Sequence, residues 1–344
     1  MSQSFNKEIK TVLVTGGMGF IGSHTVIELI NKGYQPIIVD NLVNSKADVL
    51  QRIKQITSQD VPFYAIDVCH FEALENIFTS HSIDAVIHFA ALKAVGESVN
   101  YPLNYYQNNV NGLLNLLSVM AKYDCKQLVF SSSATVYGNP DQVPIEENAP
   151  LFATNPYGQT KIIAEQILRD MFHADSNWRI AILRYFNPAG AHPSGLLGED
   201  PQGVPNNLMP FIAQVAAGKQ PCLYIHGNDY PTHDGTGVRD YIHIGDLANG
   251  HVAALKQLAN NSQLFTVNLG TGIGYSVLQA VHTFEKVSGQ KIPYVFKSRR
   301  PGDIASCYAS ATYAKTLLDW HAQLDLETMC KDHWCWQKNH SFLK

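Results

Sequence analysis

Short apolar runs and helix-like stretches alternate along the first half of the chain. Strands are predicted where mostly apolar residues follow one another, at 11–14, 36–39, 63–66, 84–89 and 127–130. Between them, the spacing of apolar residues predicts helices, including 71–81 and 103–122. Nearly all-apolar strands that alternate with helices are typical of a parallel sheet covered on both faces. The pattern therefore predicts an α/β fold built on a doubly wound parallel sheet.

A glycine-rich segment joins the first predicted strand to the first predicted helix. It contains Gly16, Gly19 and Gly22, with a further glycine at 17. Glycines at this junction let the backbone approach a diphosphate, and the helix N-terminus offers N–H groups to it. Asp40 ends the second predicted strand, where a carboxylate can accept hydrogen bonds from an adenosine ribose and would repel a 2′-phosphate. The segment predicts an NAD-binding Rossmann-type unit rather than an ordinary βαβ turn.

The second half of the chain is less regular. Proline, glycine and asparagine are concentrated in 187–205 and 228–236. Regular elements are still predicted around these loops, as helices at 207–218, 248–258 and 277–287 and as strands at 265–268 and 292–296. Long loops in a compact protein are commonly lids or walls of binding sites. We therefore expect this half to close over the reactive end of the cofactor.

These patterns predict two domains. The first is the NAD-binding Rossmann domain at 1–186, with a returning segment at 240–270. The second is a smaller α/β domain formed by 187–239 and 271–344. The ligands are expected beyond the carboxyl ends of the parallel strands, where the glycine loop and Asp40 also fall.

Composition narrows the class of protein. The chain has 344 residues of which 45% are hydrophobic, enough for one large α/β unit or two domains. A formal net charge of -4 provides no basic field for nucleic acid. No apolar run approaches the roughly 18 residues of a membrane span, and the polar N-terminus does not resemble a signal peptide. We expect no nucleic-acid or membrane partner.

The cysteines predict a reducing compartment and no metal site. Six cysteines are spread along the chain, as expected for reduced thiols in the cytoplasm. The one cluster with metal-ligating residue types is Cys330, His333 and Cys335. On a helix, His333 and Cys335 would lie on nearly opposite faces, so they could not bind one ion.

Tyr157 and Lys161 form the candidate catalytic pair. They are four residues apart at the start of a predicted helix and therefore share one face. A phenol has a reference pKa of about 10, so a tyrosine base at neutral pH needs roughly 4 kcal/mol favouring the phenolate. A cation about 5 Å away contributes on the order of 3 kcal/mol at an effective dielectric of 20, so Lys161 and an oxidised nicotinamide ring together suffice. Ser133 can hydrogen-bond the same substrate oxygen. The alternative is a surface tyrosine and lysine on a polar helix turn.

Longer strings identify a family resemblance. The glycine loop together with Tyr157 and Lys161 resembles the extended short-chain dehydrogenase/reductase superfamily. Nearly from end to end, the chain is similar to the UDP-glucose 4-epimerases, most closely in segments 40–45, 88–98, 131–138, 183–188, 205–210 and 234–243. The resemblance implies an NAD-dependent isomerase that interconverts UDP-galactose and UDP-glucose through a 4-keto sugar. It also implies a cytoplasmic homodimer that pairs helices near 103–122 and 157–175.

The resemblance implies two sets of binding residues. Those implied around NAD are Gly16, Gly19, Phe20, Ile21, Gly22, Asp40, Asn41, Leu42, Val43, Asn44, Ser45, Asp67, Val68, Phe89, Ala90, Ala91, Leu92, Lys93, Asn108, Ser133, Tyr157, Lys161 and Phe186. Those implied around the UDP-sugar are Lys93, Ser133, Tyr157, Phe186, Asn187, Asn207, Leu208, Tyr224, His226, Arg239, Arg300, Asp303 and Cys307. Arginines suit a dianionic diphosphate on a negatively charged chain. The sequence departs from some relatives at Pro301, and His226 stands where an aromatic residue often faces uracil.

Two other functions are compatible with this fold. A nucleotide-sugar 4,6-dehydratase needs an acid and a base beside sugar carbon 6, and related dehydratases place them where this chain has Ala134 and Thr135. Neither residue can do that work. An inactive NAD-sensing binding protein would be expected to lack Tyr157, Lys161 or Ser133, and all three are present.

Cys307 predicts acceptance of N-acetylated UDP-sugars. The resemblance places this position beside the substituent on sugar carbon 2, where members restricted to plain hexoses tend to carry tyrosine. A cysteine leaves room for an acetamido group that a tyrosine would hit. Side chains alternate along a strand, so Tyr308 should point away from the sugar. The alternative is that Cys307 is a buried small residue with no role in selectivity.

Overall fold

A computed structural model describes residues 9–342 apart from 202, 204, 261, 262 and 301. Pro301 and most of the polar N-terminal segment therefore lie outside the described residues. Within the described part of the chain, no helix is long and apolar enough to cross a membrane.

The central feature is a seven-stranded parallel sheet. Its strands are β1 Thr11–Thr15, β2 Gln35–Val39, β3 Phe63–Tyr64, β4 Ala85–His88, β5 Gln127–Ser133, β6 Arg179–Tyr185 and β11 Leu264–Leu269. The spatial order is β11-β6-β5-β4-β1-β2-β3, with every neighbouring pair parallel. The strand order reverses between β1 and β4, and such a switch point opens a ligand crevice at the carboxyl ends of the strands. The predicted doubly wound sheet is confirmed.

Helices cover both faces of this sheet. They are α1 Phe20–Asn31, α2 Asp48–Thr57, α3 Phe71–Ser80, α4 Val95–Asn100, α5 Pro102–Tyr105, a π-helix at Tyr106–Asn111, α6 Gly112–Lys122, α7 Pro156–Ala174, α9 Ile244–Asn260 and α11 Thr312–Leu318. Val12 and Val14 of β1 pack with α1 and α9, whereas Leu13 packs on the opposite face with α3 and α6. All three are 0% exposed, so the sheet has two apolar cores because alternate side chains point to opposite faces.

A smaller part of the chain packs over the carboxyl edge of the sheet. It contains the short strands β7 Asn187–Ala189, β8 Leu223–His226, β9 Val238–Arg239, β10 Tyr241–His243, β12 Tyr275–Ser276, β13 Tyr294–Lys297 and β14 Ser306–Cys307, with helices α8 Leu208–Ala216, α10 Val277–Ser288 and α12 Leu326–Phe342. Its core includes Ile212, Phe284 and Met329, one from each helix. These strands pair in groups of two or three and do not extend the main sheet.

Three elements differ from their predicted form. The helix predicted at 103–122 is divided into α5, the π-helix and α6, because six residues from Tyr106 adopt the wider π turn. The strand predicted at 63–66 is only β3, since the chain turns after Tyr64 and Ile66 N–H donates back to the Tyr64 carbonyl at 3.0 Å. The loop predicted at 187–205 contains the short strand β7.

Candidate active site

The glycine loop lies at the switch point between β1 and α1. Gly16 has φ +71, and a Cβ there would lie 2.8 Å from the backbone nitrogen of Ala90. A Cβ on Gly22 would overlap the Gly16 carbonyl oxygen. Gly19 is the N-cap of α1 and provides no side-chain cap, so the first N–H groups of the helix can receive an anion. The loop therefore fits a diphosphate that approaches the backbone closely.

Asp40 follows β2 and lines the same cavity as the glycine loop. Its carboxylate is held by the N–H groups of Met18 at 3.1 Å and Leu42 at 2.9 Å and by the Ser45 hydroxyl at 2.7 Å. A carboxylate can accept about four hydrogen bonds, so one more donor, such as a ribose hydroxyl, can be accommodated. These three donors therefore hold the Asp40 carboxylate in one orientation, which suits it to bind an adenosine ribose.

One cavity of about 1960 Å³ brings the predicted residues together. It is lined by every residue predicted for either ligand except Leu42. Leu42 packs instead against the hydrophobic core, with φ +61. We call the wall formed by 16–22, 40–45 and 89–93 the glycine side. The wall formed by Asn207, Arg239, Arg300, Asp303 and Cys307 is the arginine side.

Tyr157 and Lys161 line the same cavity as these two walls. Asn155 caps the start of their helix, and its Oδ1 accepts from Gly158 N–H at 2.9 Å. Tyr157 and Lys161 are both buried, with 8% and 4% of their surface exposed. Lys161 Nζ donates to the Ser131 carbonyl at 2.7 Å and lies 5.9 Å from the centre of the Tyr157 ring. The predicted proximity of phenol and ammonium is therefore present in the structure.

Burial changes the acidity of both members of the pair. It lowers the pKa of Lys161 to about 8, and the nearby Glu165 carboxylate opposes this shift. It also raises the pKa of Tyr157, while the Ser133 hydroxyl opposes that rise. Burial alone thus works against phenolate formation, so Lys161 and a further cation are needed to make Tyr157 a base near neutral pH.

Ser133 ends β5 and caps a short 3₁₀ helix, Ala134–Tyr137. Its hydroxyl oxygen accepts from Thr135 N–H at 3.2 Å and from the Thr135 hydroxyl at 3.0 Å. Because the oxygen already accepts twice, the Ser133 proton is the part of the group left to act on a substrate oxygen or on the phenol. Ser133 is thereby placed as a hydrogen-bond donor.

Asn109 was not identified from the sequence. It is 5% exposed within the π-helix, and its amide spans the Leu92 backbone, accepting from the N–H at 2.8 Å and donating to the carbonyl at 3.0 Å. It also donates to the Thr160 hydroxyl at 3.0 Å, which in turn donates to the Tyr157 carbonyl at 2.7 Å. One buried amide thus joins the glycine side to the catalytic helix. Its only sequence signal is an asparagine at a helix position that should be apolar.

The arginine side is built largely from side-chain contacts to loops. Arg239 donates to the Val238 carbonyl at 2.8 Å, the Ile304 carbonyl at 3.0 Å and the Asp303 carboxylate at 3.2 Å. Arg300 lines the same wall. Two guanidinium groups on one wall can neutralise a diphosphate.

Cys307 lies beside Arg239, its Cα partner across β14 and β9. Burial raises the pKa of its thiol to about 11, so Cys307 is a neutral group near pH 7. Tyr308 instead lines a separate hollow with Val238 and Ile273. The two side chains therefore point to different spaces, as the alternation along a strand requires.

Glu199 is another residue not identified from the sequence. Its carboxylate is 8% exposed, accepts from the Asn207 amide at 2.6 Å and pairs with Lys93 at 3.6 Å. Its carbonyl accepts from the indole of Trp336 at 3.2 Å, and the Arg52 guanidinium lies 4.8 Å from the centre of the Trp336 ring. Residues far apart in sequence thus close the cavity around Glu199.

Tyr224 and His226 form the outer end of the arginine side. Tyr224 is 45% exposed, and Lys297 Nζ lies 5.1 Å from the centre of its ring. His226 Nδ1 lies 3.2 Å from the Ser298 carbonyl. Among the described residues, no group of three or more His, Cys, Asp or Glu side chains could hold a metal ion.

The chain was compared with known proteins. The family model described as GDP-mannose 4,6 dehydratase matches residues 13–333. The UDP-glucose 4-epimerase of Bacillus subtilis is 59% identical over 328 residues, which cover 95% of this chain and 97% of that protein. The human UDP-glucose 4-epimerase is 53% identical over 334 residues, 95% and 96% of the two chains.

Solved structures agree with these relatives. The epimerase from Stenotrophomonas maltophila, with bound NAD and formylated UDP-arabinopyranose, has a TM-score of 0.96 at 49% identity and covers 97% of this chain and 100% of its own. The epimerase from Bifidobacterium longum, in complex with NAD+ and UDP, has a TM-score of 0.94 at 53% identity, covering 96% and 99%. The predicted fold, family and enzyme class are confirmed. This chain is an isomerase that belongs to the UDP-glucose 4-epimerase family.

Proposed function

We propose that this isomerase interconverts UDP-galactose and UDP-glucose with a tightly held NAD. The observation that carries the proposal is the buried pair of Tyr157 and Lys161, which lines one cavity together with the glycine side and the arginine side. A substrate hydroxyl placed beside this pair would have the Tyr157 phenol, the Lys161 ammonium and the Ser133 proton close to it. Solved relatives that hold NAD together with UDP or a UDP-sugar support the same choice of ligands.

The glycine side is the proposed NAD site. When bound, NAD supplies a reversible hydride acceptor and a positively charged nicotinamide ring. The glycine loop and the start of α1 receive the diphosphate, and Asp40 accepts from the adenosine ribose. The fixed Asp40 carboxylate would repel a 2′-phosphate, so we expect NAD in preference to NADP.

Tyr157 is the proposed acid–base group. It takes the proton from the sugar 4-hydroxyl, with Ser133 donating a hydrogen bond to the same oxygen. Lys161, fixed by the Ser131 carbonyl, stabilises the phenolate that accepts this proton. The 4-keto sugar turns about its diphosphate linkage, and Tyr157 then returns the proton to the oxygen at carbon 4.

The diphosphate must stay bound while the sugar turns. Arg239 and Arg300 are the proposed anchors, and Arg239 is fixed by Asp303 and two carbonyls. An arginine held in this way loses little side-chain entropy on binding phosphate. In this proposal the sugar itself faces Cys307, a small side chain on the cavity wall.

A cofactor-free assay tests the proposal. Purified protein incubated with UDP-galactose and no added NAD should form an equilibrium mixture with UDP-glucose, without accumulation of NADH. Denaturation of the same sample should release NAD in a stoichiometric amount. A requirement for added NAD in proportion to product, or a growing NADH absorbance, would show that the protein is a dehydrogenase and not an epimerase.

The matched family description favours one alternative, a nucleotide-sugar 4,6-dehydratase. That reaction needs an acid and a base beside carbon 6. The corresponding positions are Ala134 and Thr135, and Thr135 uses its N–H and hydroxyl to bind Ser133. Product analysis separates the two reactions, since only the dehydratase releases a 4-keto-6-deoxy sugar.

We also propose that the enzyme accepts UDP-N-acetylglucosamine and UDP-N-acetylgalactosamine. The support is Cys307, a small neutral side chain on the cavity wall beside Arg239, with Tyr308 turned to another hollow. An acetamido group on sugar carbon 2 then has room that a tyrosine at 307 would occupy.

A homodimer is the proposed assembly. Val99, Leu103 and Leu114 on α4, α5 and α6 are 60%, 71% and 43% exposed, so the surface of these consecutive helices carries several large apolar side chains. Burial of such a surface between two copies would remove it from water. Light scattering of wild type and Leu103→Glu, expected as dimer and monomer, tests this assembly.

The cytoplasm is the proposed compartment. All six cysteines are free thiols, which suits a reducing environment. Fractionation of the native cells with an antibody to the protein would test it.

A further inference from the structure

A buried carboxylate lies one helical turn beyond Lys161, and the proposed mechanism does not use it. Glu165 is 0% exposed on α7, four residues after Lys161. Its Oε1 accepts from Ser132 Oγ at 2.6 Å and Arg184 Nε at 2.8 Å, and its Oε2 accepts from Arg184 Nη2 at 2.6 Å and Arg169 Nη2 at 3.1 Å. Four donors, two of them a bidentate guanidinium fork, fix this carboxylate in one orientation.

Three of the four donors come from the two strands that end at the site. Ser132 of β5 and Arg184 of β6 are Cα partners in the sheet. Ser132 is preceded by Ser131, whose carbonyl accepts from Lys161, and followed by Ser133. Because α7 carries Tyr157 and Lys161, the carboxylate fixes the position of the catalytic helix relative to these strand ends.

Arg184 is itself held from the other side. Its Nη1 donates to the Tyr137 hydroxyl at 3.0 Å and to the Glu147 carbonyl at 2.9 Å. The Tyr137 hydroxyl donates to Asn268 Oδ1 at 2.7 Å, on β11. The network therefore connects α7 with β5, β6 and β11, and a satisfied network of this kind has one low-energy arrangement.

Charge adds a second effect at Lys161. The groups around its ammonium are the Ser131 carbonyl and the Phe130 ring on β5, the Tyr157 phenol on α7 and His88 on β4. Burial lowers the pKa of His88 to about 3, so this imidazole is neutral. The Glu165 carboxylate is the charge that opposes the effect of burial on Lys161.

We propose that Glu165, clamped by Ser132 and Arg184, is a positioning residue that sets the place of Lys161 and of the serine-rich end of β5 for the chemical step. A buried ion pair can also exist only as part of the fold. The positioning role differs from that alternative because it predicts a change in kcat and in the pH profile of correctly folded enzyme. It rests on the proposed epimerase reaction, which the wild-type protein tests separately.

The experiment compares Glu165→Gln with wild type on UDP-galactose. The amide keeps the shape of the side chain, removes the negative charge and presents N–H groups to arginine donors. We expect kcat to fall at least tenfold, with KM within about twofold and NAD content unchanged. We also expect the alkaline limb of kcat/KM to move to lower pH, because Lys161 loses the carboxylate that favours its protonated form.

A double variant keeps the test decisive if the single variant does not fold. Glu165→Leu with Arg184→Met replaces the ion pair by apolar side chains, an exchange that buried pairs often tolerate. It should fold and still show the lower kcat. Glu165→Asp, which retains the charge, should recover part of the rate.

Asp246→Asn is the matched control. Asp246 is a buried carboxylate on α9 that accepts from the N–H groups of Gln323 and Leu324, at 2.9 Å and 2.8 Å. This control should lower the melting temperature while leaving kcat and the pH profile of the enzyme unchanged. A folded double variant with wild-type kcat and an unshifted alkaline limb would overturn the positioning role. An inactive wild type would instead overturn the proposed function.

Discussion

The glycine side and the arginine side of the cavity are built in different ways. On the glycine side, the loop follows β1, which lies inside a seven-stranded sheet whose central residues are 0% exposed. On the arginine side, β9 and β14 are two residues long, and Arg239 is held by two carbonyls and one carboxylate. Local stability is greater where backbone hydrogen bonds are buried in a sheet. The first construction suits a ligand kept through many turnovers, and the second suits one exchanged in each turnover.

Tyr157→Phe should have the largest effect, since Tyr157 is the proposed acid–base group and its role needs the ligands of both walls. Loss of the phenolic oxygen removes the proposed base, and we expect kcat to fall by about two to three orders of magnitude. UDP affinity measured by calorimetry should change little, because the diphosphate anchors are intact. Tyr308→Phe, in the separate hollow, is the matched control and should retain full activity. An active Tyr157→Phe enzyme would show that the base is Ser133 or a water molecule and not Tyr157.

Lys161→Met should have the next largest effect and should also change the pH profile. The ammonium stabilises the Tyr157 phenolate, so its removal raises the pKa of the phenol. The rise of kcat/KM with pH should therefore move to higher pH, and kcat near pH 7 should fall by roughly ten- to a hundredfold. A profile recorded from pH 5.5 to 10 would check the direction. An unshifted acidic limb would show that Lys161 does not act on the phenol.

Gly22→Ala tests the glycine side alone. A Cβ at this position would overlap the Gly16 carbonyl oxygen. Overpacking of this kind typically costs about 1–3 kcal/mol, so NAD retained through purification should fall by about tenfold or more. In Gly96→Ala, nothing lies within 4 Å of the new Cβ, and NAD content should be unchanged. If Gly22→Ala kept its full NAD content, the glycine loop would not be the main contributor to NAD binding.

Cys307→Tyr tests the arginine side and should have the smallest effect, one on selectivity. The larger side chain should collide with an acetamido group, at a cost of about 1–3 kcal/mol, which is a tens-fold change in relative kcat/KM. UDP-galactose turnover should stay within a few-fold of wild type. The measurement compares the kcat/KM of wild type and of Cys307→Tyr on UDP-galactose and on UDP-N-acetylgalactosamine. Equal relative efficiencies, or a wild type that ignores the N-acetyl sugar, would contradict the role of Cys307 in selectivity.

The sequence predicts the features that depend on local pattern. The glycine loop, Asp40 and the strand ends follow from apolar runs and from residue types at fixed places in them. Tyr157 and Lys161 follow from helical spacing taken together with the glycine loop upstream and the serines between. These signals suffice for the sheet and the catalytic pair, whereas the family and most of the cavity wall were predicted from the resemblance of longer strings to the UDP-glucose 4-epimerases.

The features that sequence reasoning missed depend on tertiary pairing. Asn109 acts through a π-helix, which shifts the register of the side chains and cannot be read from the 3.6-residue period. Glu199 is a polar loop residue whose partners, Asn207 and Lys93, come from two other segments. Glu165 and Arg184 become one buried unit only when α7 packs on β6. In each case the partner is chosen by the fold, not by neighbours in the chain.

The contact between Trp336 and Glu199 has a consequence for biosynthesis. Trp336 comes long after the glycine loop in the chain, yet it lines the cavity and the Arg52 guanidinium lies 4.8 Å from the centre of its ring. A ribosome therefore delivers the glycine loop long before this tryptophan. A nascent chain thus carries the glycine loop through a long stretch of translation and cannot complete the enclosure of the cavity until Trp336 has been added.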